Sequence, residues 1–264
     1  ERSNVQLQEE IREHRQTEML LEASRKEAIE ANEAKSLFLA HMSHEIRTPM
    51  NGLLGLTDLL LMSEGNPDRK ESLELISLSG HNLLRILNDI LDYSRLEAGG
   101  MPIVPAPFSL RGLLRELTGV FMPQVSQKGM RFVIVDETGD LERIVGDVER
   151  IRQILINLLS NAVKFTDQGE ILLHIEQTES DRKERQILFC VQDTGIGIAE
   201  SERVHLFERF RQLDGTRTRR YGGTGLGLAI SKLLAERMGG RIWLDESYAG
   251  GSRFCLLLPV SAQP

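Results

Sequence analysis

A histidine followed by a carboxylate lies on a stretch of the sequence that has helical spacing. Apolar residues recur around His44 and Glu45 at alternating steps of three and four, the pattern of a helix-bundle seam: Leu39, Met42, Ile46, Pro49, Leu53, Leu56 and Leu60. At about 100° per residue, His44 lies about 200° from Met42 and Ile46, so its imidazole should point away from the seam. An outward imidazole can act as a nucleophile while Glu45 accepts its Nδ1–H. Taken alone, the pattern fits an ordinary exposed histidine equally well.

A second group of polar side chains recurs on one face of a later helix. Asn157, Asn161 and Lys164 are four and three residues apart. The other side of this helix is apolar and carries Ile151, Ile154, Leu155, Leu158, Leu159 and Ala162. Two amide carbonyls can ligate a hard cation such as Mg²⁺, and the lysine offers a point charge to a phosphate. The alternative is a polar outer face with no ligand.

Two glycine-containing segments have the chemistry of a nucleotide site. Asp193 ends an apolar run and could accept a hydrogen bond from an exocyclic amine, while Gly195 and Gly197 leave room for a flat base. The second segment, residues 222–228, opens a helix whose free amides suit a polyphosphate. It contains Gly223, Gly225, Leu226 and Gly227. It lacks both the preceding strand of a dinucleotide fold and the lysine of a P-loop, so alone it is weak evidence.

The composition limits the possible classes of function. The 264 residues carry a net charge of −7, which argues against nucleic acid as the main partner. No apolar run approaches the ~20 residues that span a bilayer, and no signal peptide is present. Cys190 and Cys255 lie in apolar strand-like runs, so we expect buried, reduced thiols and a cytosolic compartment. The chain begins inside a helical pattern, which indicates a piece of a longer protein.

The elements that must position these groups fall into a helical part and a mixed part. We expect one helix from Glu1 to about Met62, a turn at 63–68 and a second helix from Arg69 to Glu97. Two such amphipathic helices would bury their seams by dimerising into a four-helix bundle. Residues 1–35 have a broken heptad, typical of a marginal signalling coiled coil, with a solvated spacer helix as the alternative. Residues 36–100 then form the dimerisation domain, and the prolines of 101–107 form a stiff linker.

The mixed part, residues 108–262, predicts an α/β sandwich with its helices on one face of a sheet. Predicted helices cover 110–128, 147–165 and 225–238. Predicted strands cover 131–136, 170–177, 186–193, 241–246 and 253–260, with a loop over 194–223.

The motifs together resemble those of bacterial sensor histidine kinases, particularly the hybrid type. His44-Glu45-Ile46-Arg47-Thr48-Pro49 resembles their phospho-acceptor box. The asparagine helix and the two glycine segments resemble the N, G1 and G2 boxes of their catalytic domain, which has the Bergerat ATP-binding fold. Residues 206–210 resemble the F box, although Arg209 stands where many relatives have proline.

This resemblance implies autophosphorylation of His44 by ATP, followed by transfer to an aspartate of a response-regulator receiver domain. It implies that Asn157 and Asn161 hold Mg²⁺, that Asp193 reads adenine and that residues 199–221 form an ATP lid. Thr48 resembles the residue that positions water for a reverse phosphatase activity. Its hydroxyl could instead support the helix before Pro49 by bonding to the backbone one turn earlier.

The resemblance also implies a homodimer, in the cytoplasmic portion of a parent protein of the bacterial inner membrane. Two other interpretations remain. One is a Bergerat ATPase of the chaperone or topoisomerase kind, which the His44-Glu45 pair disfavours. The other is an interaction module that docks on another histidine kinase through its bundle, with little ATP turnover.

Overall fold

A computed structural model describes residues 2–98, 100–139, 143–179, 185–211 and 224–262 of the chain. The chain divides into two compact units, Glu1–Gly100 and Met101–Pro264. Within the described ranges, none of the helices combines the length and the hydropathy of a membrane-spanning segment.

The first unit is a hairpin of two long helices. α1 covers Arg2–Ser63 and continues through Pro49, and α2 covers Pro67–Glu97. Asn66 begins α2, because its Oδ1 accepts hydrogen bonds from the backbone N–H groups of Asp68 and Arg69 at 3.0 and 3.3 Å. Proline at the first position of α2 costs no hydrogen bond. These bounds confirm the two predicted helices and the turn between them.

The two helices of the hairpin pack through small residues and a few polar pairs. Leu54 is 6% exposed and lies against the buried Gly80, which lets its side chain approach the backbone of α2. Arg47 Nη2 donates to Asn88 Oδ1 at 2.7 Å, and Ser77 Oγ donates to Asp58 Oδ1 at 3.1 Å. Several apolar residues of the two helices stay exposed instead, and we call them the exposed seam residues: Leu53, Leu56 and Leu60 of the predicted seam in α1, and Ile76 and Leu83 of α2.

The second unit combines helices with two sheets. The helices among its described residues are α3 (Leu110–Gln127), α4 (Val148–Phe165), α5 (Glu200–Arg203) and α6 (Gly227–Arg237). Its strands are β1 (Ala106–Ser109), β2 (Arg131–Glu137), β3 (Arg143–Gly146), β4 (Glu170–Glu179), β5 (Arg185–Asp193), β6 (Arg241–Leu244), β7 (Ser252–Pro259) and β8 (Ser261–Ala262).

The larger sheet has the strand order β2-β4-β5-β7-β6, in which only the β2–β4 pair is parallel. Alternate residues of β4 are fully buried, among them Leu173 and Ile175, as expected for a sheet covered on one face. The apolar side of α4 is buried as predicted and includes Ile154, Leu155 and Leu159, each 0% exposed. The α/β domain that follows the helical region is therefore confirmed.

The residues that precede the large sheet are part of the second unit. Met101 is 6% exposed, and the backbone N–H of Val104 donates to Asp147 Oδ2 at 2.9 Å. β1 pairs antiparallel with β3, which also pairs with β8, in a separate three-stranded sheet. Residues 101–107, which the sequence indicated as a linker, thus supply a buried side chain, a backbone hydrogen bond and the first two residues of β1.

The expectation of reduced thiols at Cys190 and Cys255 is wrong. The two residues stand directly opposite each other on β5 and β7, with their Cα atoms 4.2 Å apart, and their sulfurs form a disulfide. They are 65 residues apart in the chain. Apolar strand runs indicate burial but not register, and register decides which cysteines meet.

Candidate active site

His44 and Glu45 are both exposed on α1. The preceding residue, Ser43, is 1% exposed, so the buried side of α1 changes to its open side within one residue. Arg47, on the next turn, is held to α2 through Asn88. An imidazole on a helix that is held this way can be reached from outside the hairpin.

Thr48 is bonded to the backbone beside the histidine. Its Oγ1 donates to the carbonyl oxygen of His44 at 3.1 Å. This is the bond expected if Thr48 supports the helix before Pro49, which was the alternative role that the sequence left open. The same oxygen keeps its lone pairs, so it can still accept a hydrogen bond from water.

The helix that carries the asparagines is fixed at both ends. Asp147 caps its start, because Oδ1 accepts from the backbone N–H of Arg150 at 3.2 Å. At its end, Lys128 Nζ donates to the carbonyl oxygens of Val163 and Thr166 at 2.6 and 3.2 Å. A cation at a helix C-terminus satisfies free carbonyls and opposes the negative end of the dipole. The polar face of α4 is therefore presented by a well-anchored helix.

Asn157 joins α4 to the start of α6. Its Nδ2 donates to Ser231 Oγ at 3.0 Å, and Ser231 is 1% exposed. A Cβ atom on Gly227 would overlap Asn157 Oδ1, so the amide can keep its present position only if residue 227 has no side chain. Asn161 and Lys164 are half-buried one and two turns further along α4, with Lys164 Nζ 4.8 Å from the centre of the Phe165 ring.

Asp193 ends β5 as a buried carboxylate, 5% exposed, with three donors around it. Gly195 N–H donates to its Oδ1 at 2.8 Å, and the backbone N–H and hydroxyl of Ser252 also donate to it. Burial raises the pKa of the Asp193 carboxyl above its ordinary value, and the hydrogen bonds from Gly195 and Ser252 oppose that rise. The carboxylate is thus fixed in orientation and largely out of water.

The loop after Asp193 packs directly on the end of α4. Ile196 N–H donates to the carbonyl oxygen of Phe165 at 3.3 Å. A Cβ on Gly195 would overlap that carbonyl oxygen and lie 2.9 Å from Thr166 Oγ1. Thr166 is 0% exposed, and among the described residues its hydroxyl has no hydrogen-bond partner. The close approach of loop and helix therefore leaves one polar atom unsatisfied.

Residues 224–226 of the second glycine segment directly precede α6. Thr224 Oγ1 accepts from the N–H of Leu226 at 3.1 Å, and Leu226 is fully buried. Gly225 has a φ of 68° and Gly197 a φ of 67°. Gly223 and residues 212–221 of the predicted lid lie outside the described residues.

The residues that resemble an F box contact this segment. Phe210 N–H donates to the carbonyl oxygen of Gly225 at 3.1 Å, and the Phe207 ring lies 5.8 Å from Lys232 Nζ of α6. His205 Nδ1 is 2.7 Å from Glu208 Oε1, and this bond holds the pKa of Glu208 below its ordinary value. Contacts at Asn157 and at Phe165 thus bring both glycine segments onto α4.

Comparisons with known proteins match both units. Residues 34–99 match the family model "His Kinase A (phospho-acceptor) domain". Residues 146–262 match "Histidine kinase-, DNA gyrase B-, and HSP90-like ATPase". The chain belongs to the histidine kinases.

The relatives of this histidine kinase core are sensor kinases. It is 44% identical to the sensor protein GacS of Pseudomonas syringae over 240 residues, 91% of this chain and 26% of GacS. It is 41% identical to the autoinducer 2 sensor kinase/phosphatase LuxQ of Vibrio cholerae over 239 residues, 90% of this chain and 28% of LuxQ. The chain therefore spans about a quarter of the length of these relatives.

Among solved structures, the kinase core resembles full-length ShkA in complex with AMPPNP. The TM-score is 0.71 and the sequence identity 35%, over 85% of this chain and 46% of ShkA. The nucleotide analogue AMPPNP is bound to ShkA in that structure.

Sequence reasoning missed several polar residues of this kinase core: Ser231, Ser252, Thr166 and Thr224. Ser252 bonds to Asp193 from 59 positions along the chain, so the local sequence does not identify its partner. Ser231 lies on α6, where the spacing of apolar residues predicts which side of the helix is buried but not which polar residue makes a contact. A serine directly after Gly250 and Gly251 at a strand start is the one signal that pointed to a close approach.

Proposed function

We propose that this chain binds ATP in its α/β unit and uses it to phosphorylate His44. The observation that carries the proposal is the junction at α4, where Asn157 meets α6 and Phe165 meets the loop after Asp193. A base-reading carboxylate, a polar helix face and a helix start are thereby joined in one unit. The same chain supplies an exposed histidine on a matched phospho-acceptor domain.

The chemistry assigned to His44 is attack by its Nε2 lone pair on the γ-phosphorus. The N–P bond forms, the bond from phosphorus to the bridging oxygen breaks, and ADP leaves. Glu45 accepts the Nδ1–H and offsets the positive charge that develops on the ring. Lys164 stabilises the negative charge of the transferred group, because phosphoryl transfer depends mainly on positioning and electrostatics.

Mg²⁺ would be held by Asn157 and Asn161, and when bound it would neutralise phosphate charge. The residues fit such an ion. The bond from Asn157 Nδ2 to Ser231 leaves the carbonyl oxygen of that amide as an acceptor, and Asn161 offers a second amide on the same helix. Amide oxygens are hard ligands suited to a hard cation.

The test is incubation with γ-labelled ATP. Label is expected on the wild type and on His81→Gln, a matched control because His81 is also exposed on the hairpin. His44→Gln should carry none. Label that survives in His44→Gln would overturn the assignment, and labelled phosphate that is released without acid-labile protein phosphate would favour a plain ATPase.

We also propose that two copies of the chain dimerise through residues 36–97. The exposed seam residues Leu53, Leu56 and Leu60 are 60%, 62% and 56% exposed, and they lie one turn or two apart on α1. A second copy of the hairpin would remove this apolar surface from water in a four-helix bundle.

Sedimentation should give a dimer at a chain concentration of tens of micromolar, because that concentration exceeds a dissociation constant of about 1 μM. Leu56→Asp should give a monomer, whereas the matched exposed-site change Leu20→Asp should not.

The remaining roles follow from the same assignment. Residues 1–35 would pass the signal to the 36–100 domain, and 108–262 would catalyse, in the cytoplasmic portion of a membrane protein. His44 would pass its phosphoryl group to an aspartate of a receiver domain, with phosphatase activity as the reverse function. The name of LuxQ, sensor kinase/phosphatase, supports that pairing of activities.

A further inference from the structure

One row of side chains crosses all five strands of the larger sheet. The register places Val135, His174, Cys190, Cys255 and Trp243 opposite one another on β2, β4, β5, β7 and β6. Directly opposite residues project from the same face, with Cβ atoms about 4.5–5.5 Å apart. The row therefore puts an imidazole beside one cysteine and an indole beside the other.

The row lies on the less covered face of the sheet. His174 is half-buried, whereas its chain neighbours Leu173 and Ile175 are fully buried on the opposite face. Cys190 is 7% exposed and Cys255 is 3% exposed. Cys190 is the less buried of the two cysteines and is the one beside the imidazole.

The two cysteines differ in their access to a base. His174 Nε2 lies 3.1 Å from Glu137 Oε2, so a carboxylate, an imidazole and Cys190 follow one another across β2, β4 and β5. Glu176 is a further charged group on this side, and one side-chain oxygen or nitrogen atom from each of Glu137, His174 and Glu176 lies within 4.8 Å of the others. Cys255 instead adjoins Trp243, whose ring lies 4.7 Å from the Arg241 guanidinium. Among the described residues directly opposite the two cysteines, His174 beside Cys190 is a proton acceptor, whereas Trp243 beside Cys255 is not.

We propose that Cys190 and Cys255 are a reversible thiol-oxidation site, in which Cys190 is the attacking thiol and His174 receives its proton. The oxidant is a small-molecule disulfide of the glutathione type. The Cys190 thiolate attacks one of its sulfurs and expels a thiolate. Cys255 then attacks Cys190 Sγ and expels the second. Two protein thiols are oxidised, one disulfide is reduced to two thiols, and the protein protons end on those thiols or in solvent.

The reversible character rests on the cytoplasmic placement proposed above, since disulfides there are normally transient and regulatory. The bond also lies close to the nucleotide site. Asp193 and Ser252 are the pair three positions further along the same two strands, about 10 Å away at ~3.3 Å per residue. Oxidation should therefore suppress local opening of the strands that orient Asp193.

The experiment uses the full chain, reduced and then equilibrated with glutathione disulfide. We expect loss of two hydrogen atoms in the intact mass, a linked peptide containing Cys190 and Cys255, no alkylation of either residue under denaturing conditions, and full reversal by dithiothreitol. The melting temperature of the α/β unit should rise on the order of 10 °C on oxidation, because the bond closes a loop of 65 residues. The Cys190→Ser/Cys255→Ser variant should show no shift. Two alkylatable thiols after equilibration would overturn the proposal.

The role of His174 is tested by the rate of mixed-disulfide formation at Cys190 in a Cys255→Ser background. His174→Gln should react several-fold more slowly near neutral pH and at the same rate above about pH 9, where thiols ionise without help. His205→Gln, also a histidine paired with a glutamate in this unit, is the control and should match the parent. Equal rates at all pH values for His174→Gln would overturn the assigned base. These measurements need neither nucleotide nor kinase activity, so their failure is separable from failure of the proposed function.

Discussion

Asn157 Nδ2 donates a hydrogen bond of 3.0 Å to Ser231 Oγ, across 74 residues of sequence. The bond joins α4 to α6 and fixes which way the Asn157 amide points. Ser231→Ala should free that amide to rotate. We expect labelling of His44 to fall about tenfold, because small losses of positioning are costly in transfer reactions.

The same variant should lose only about 1 kcal/mol in the free energy of unfolding, the usual contribution of one hydrogen bond. Urea unfolding and label incorporation measure the two effects. Ser126→Ala, which changes an exposed serine of the same unit, is the control. Unchanged labelling in Ser231→Ala would show that Asn157 needs no such support.

Asp193→Asn should separate stability from binding. Burial raises the pKa of the Asp193 carboxyl above its ordinary value of 3.8, so the folded chain keeps this proton to higher pH than the unfolded chain does. Ionisation of this group therefore lowers stability as the pH rises from about 3.8 through the raised folded value. Over that window the unfolding free energy of Asp193→Asn should rise relative to wild type, measured by urea unfolding across the pH range.

The same Asp193→Asn variant should bind ADP at least tenfold more weakly, since a hydrogen bond to a charged acceptor contributes ~1.5–3 kcal/mol. Titration calorimetry measures the loss. Full ADP affinity in the variant would mean that the base is read elsewhere.

Thr166→Val should stabilise the chain. The Thr166 hydroxyl is buried against Gly195 without a partner in the described part of the chain, and valine has the same shape without the polar atom. We expect a gain of about 1 kcal/mol in urea unfolding. Thr166→Ser, which keeps the hydroxyl and loses the methyl group, should lose stability instead. A less stable valine variant would reveal a donor or acceptor for this hydroxyl.

Thr48→Ala should keep ATP-dependent labelling of His44 and lose most dephosphorylation of a phosphorylated receiver domain. Labelling needs the imidazole, Glu45 and the nucleotide, whereas a positioned water is worth about two to four decades in rate. Thr48→Ser keeps the hydroxyl and should keep both activities. The hydrogen bond from Thr48 to the His44 carbonyl oxygen gives the alternative role of Thr48 a testable consequence of its own. If that bond only supports the helix, both activities should fall together, with less helix by circular dichroism.

Long-period patterns in the sequence predicted the large elements well. The bounds of α1 and α2 agree with the predicted ones within two residues, because the turn carries Gly65 and Pro67 and the seams are regular. The short strands β1, β3 and β8 were missed. They have four, four and two residues, and β1 pairs with a segment about 40 positions away, where local propensity gives no signal.

The candidate site divides in the same way. Asn157, Asn161 and Asp193 could be proposed as site residues because side-chain type and helical spacing are visible in the sequence. Ser252 and the cysteine pair could not, because each depends on the register of two strands that the chain reaches far apart. The unsatisfied hydroxyl of Thr166 depends on the packing of a loop on a helix end, which no one-dimensional pattern encodes.

The hydrogen bond from Val104 to Asp147 decides where the catalytic half can be cut out and transplanted. A piece that starts at Phe108, the predicted edge of the domain, would lose this bond, the buried Met101 and half of β1. It would still contain the whole large sheet, yet the aspartate that caps α4 would have lost one of its two partners. A chimaera joined before Met101 should therefore melt at a higher temperature than one joined at Phe108.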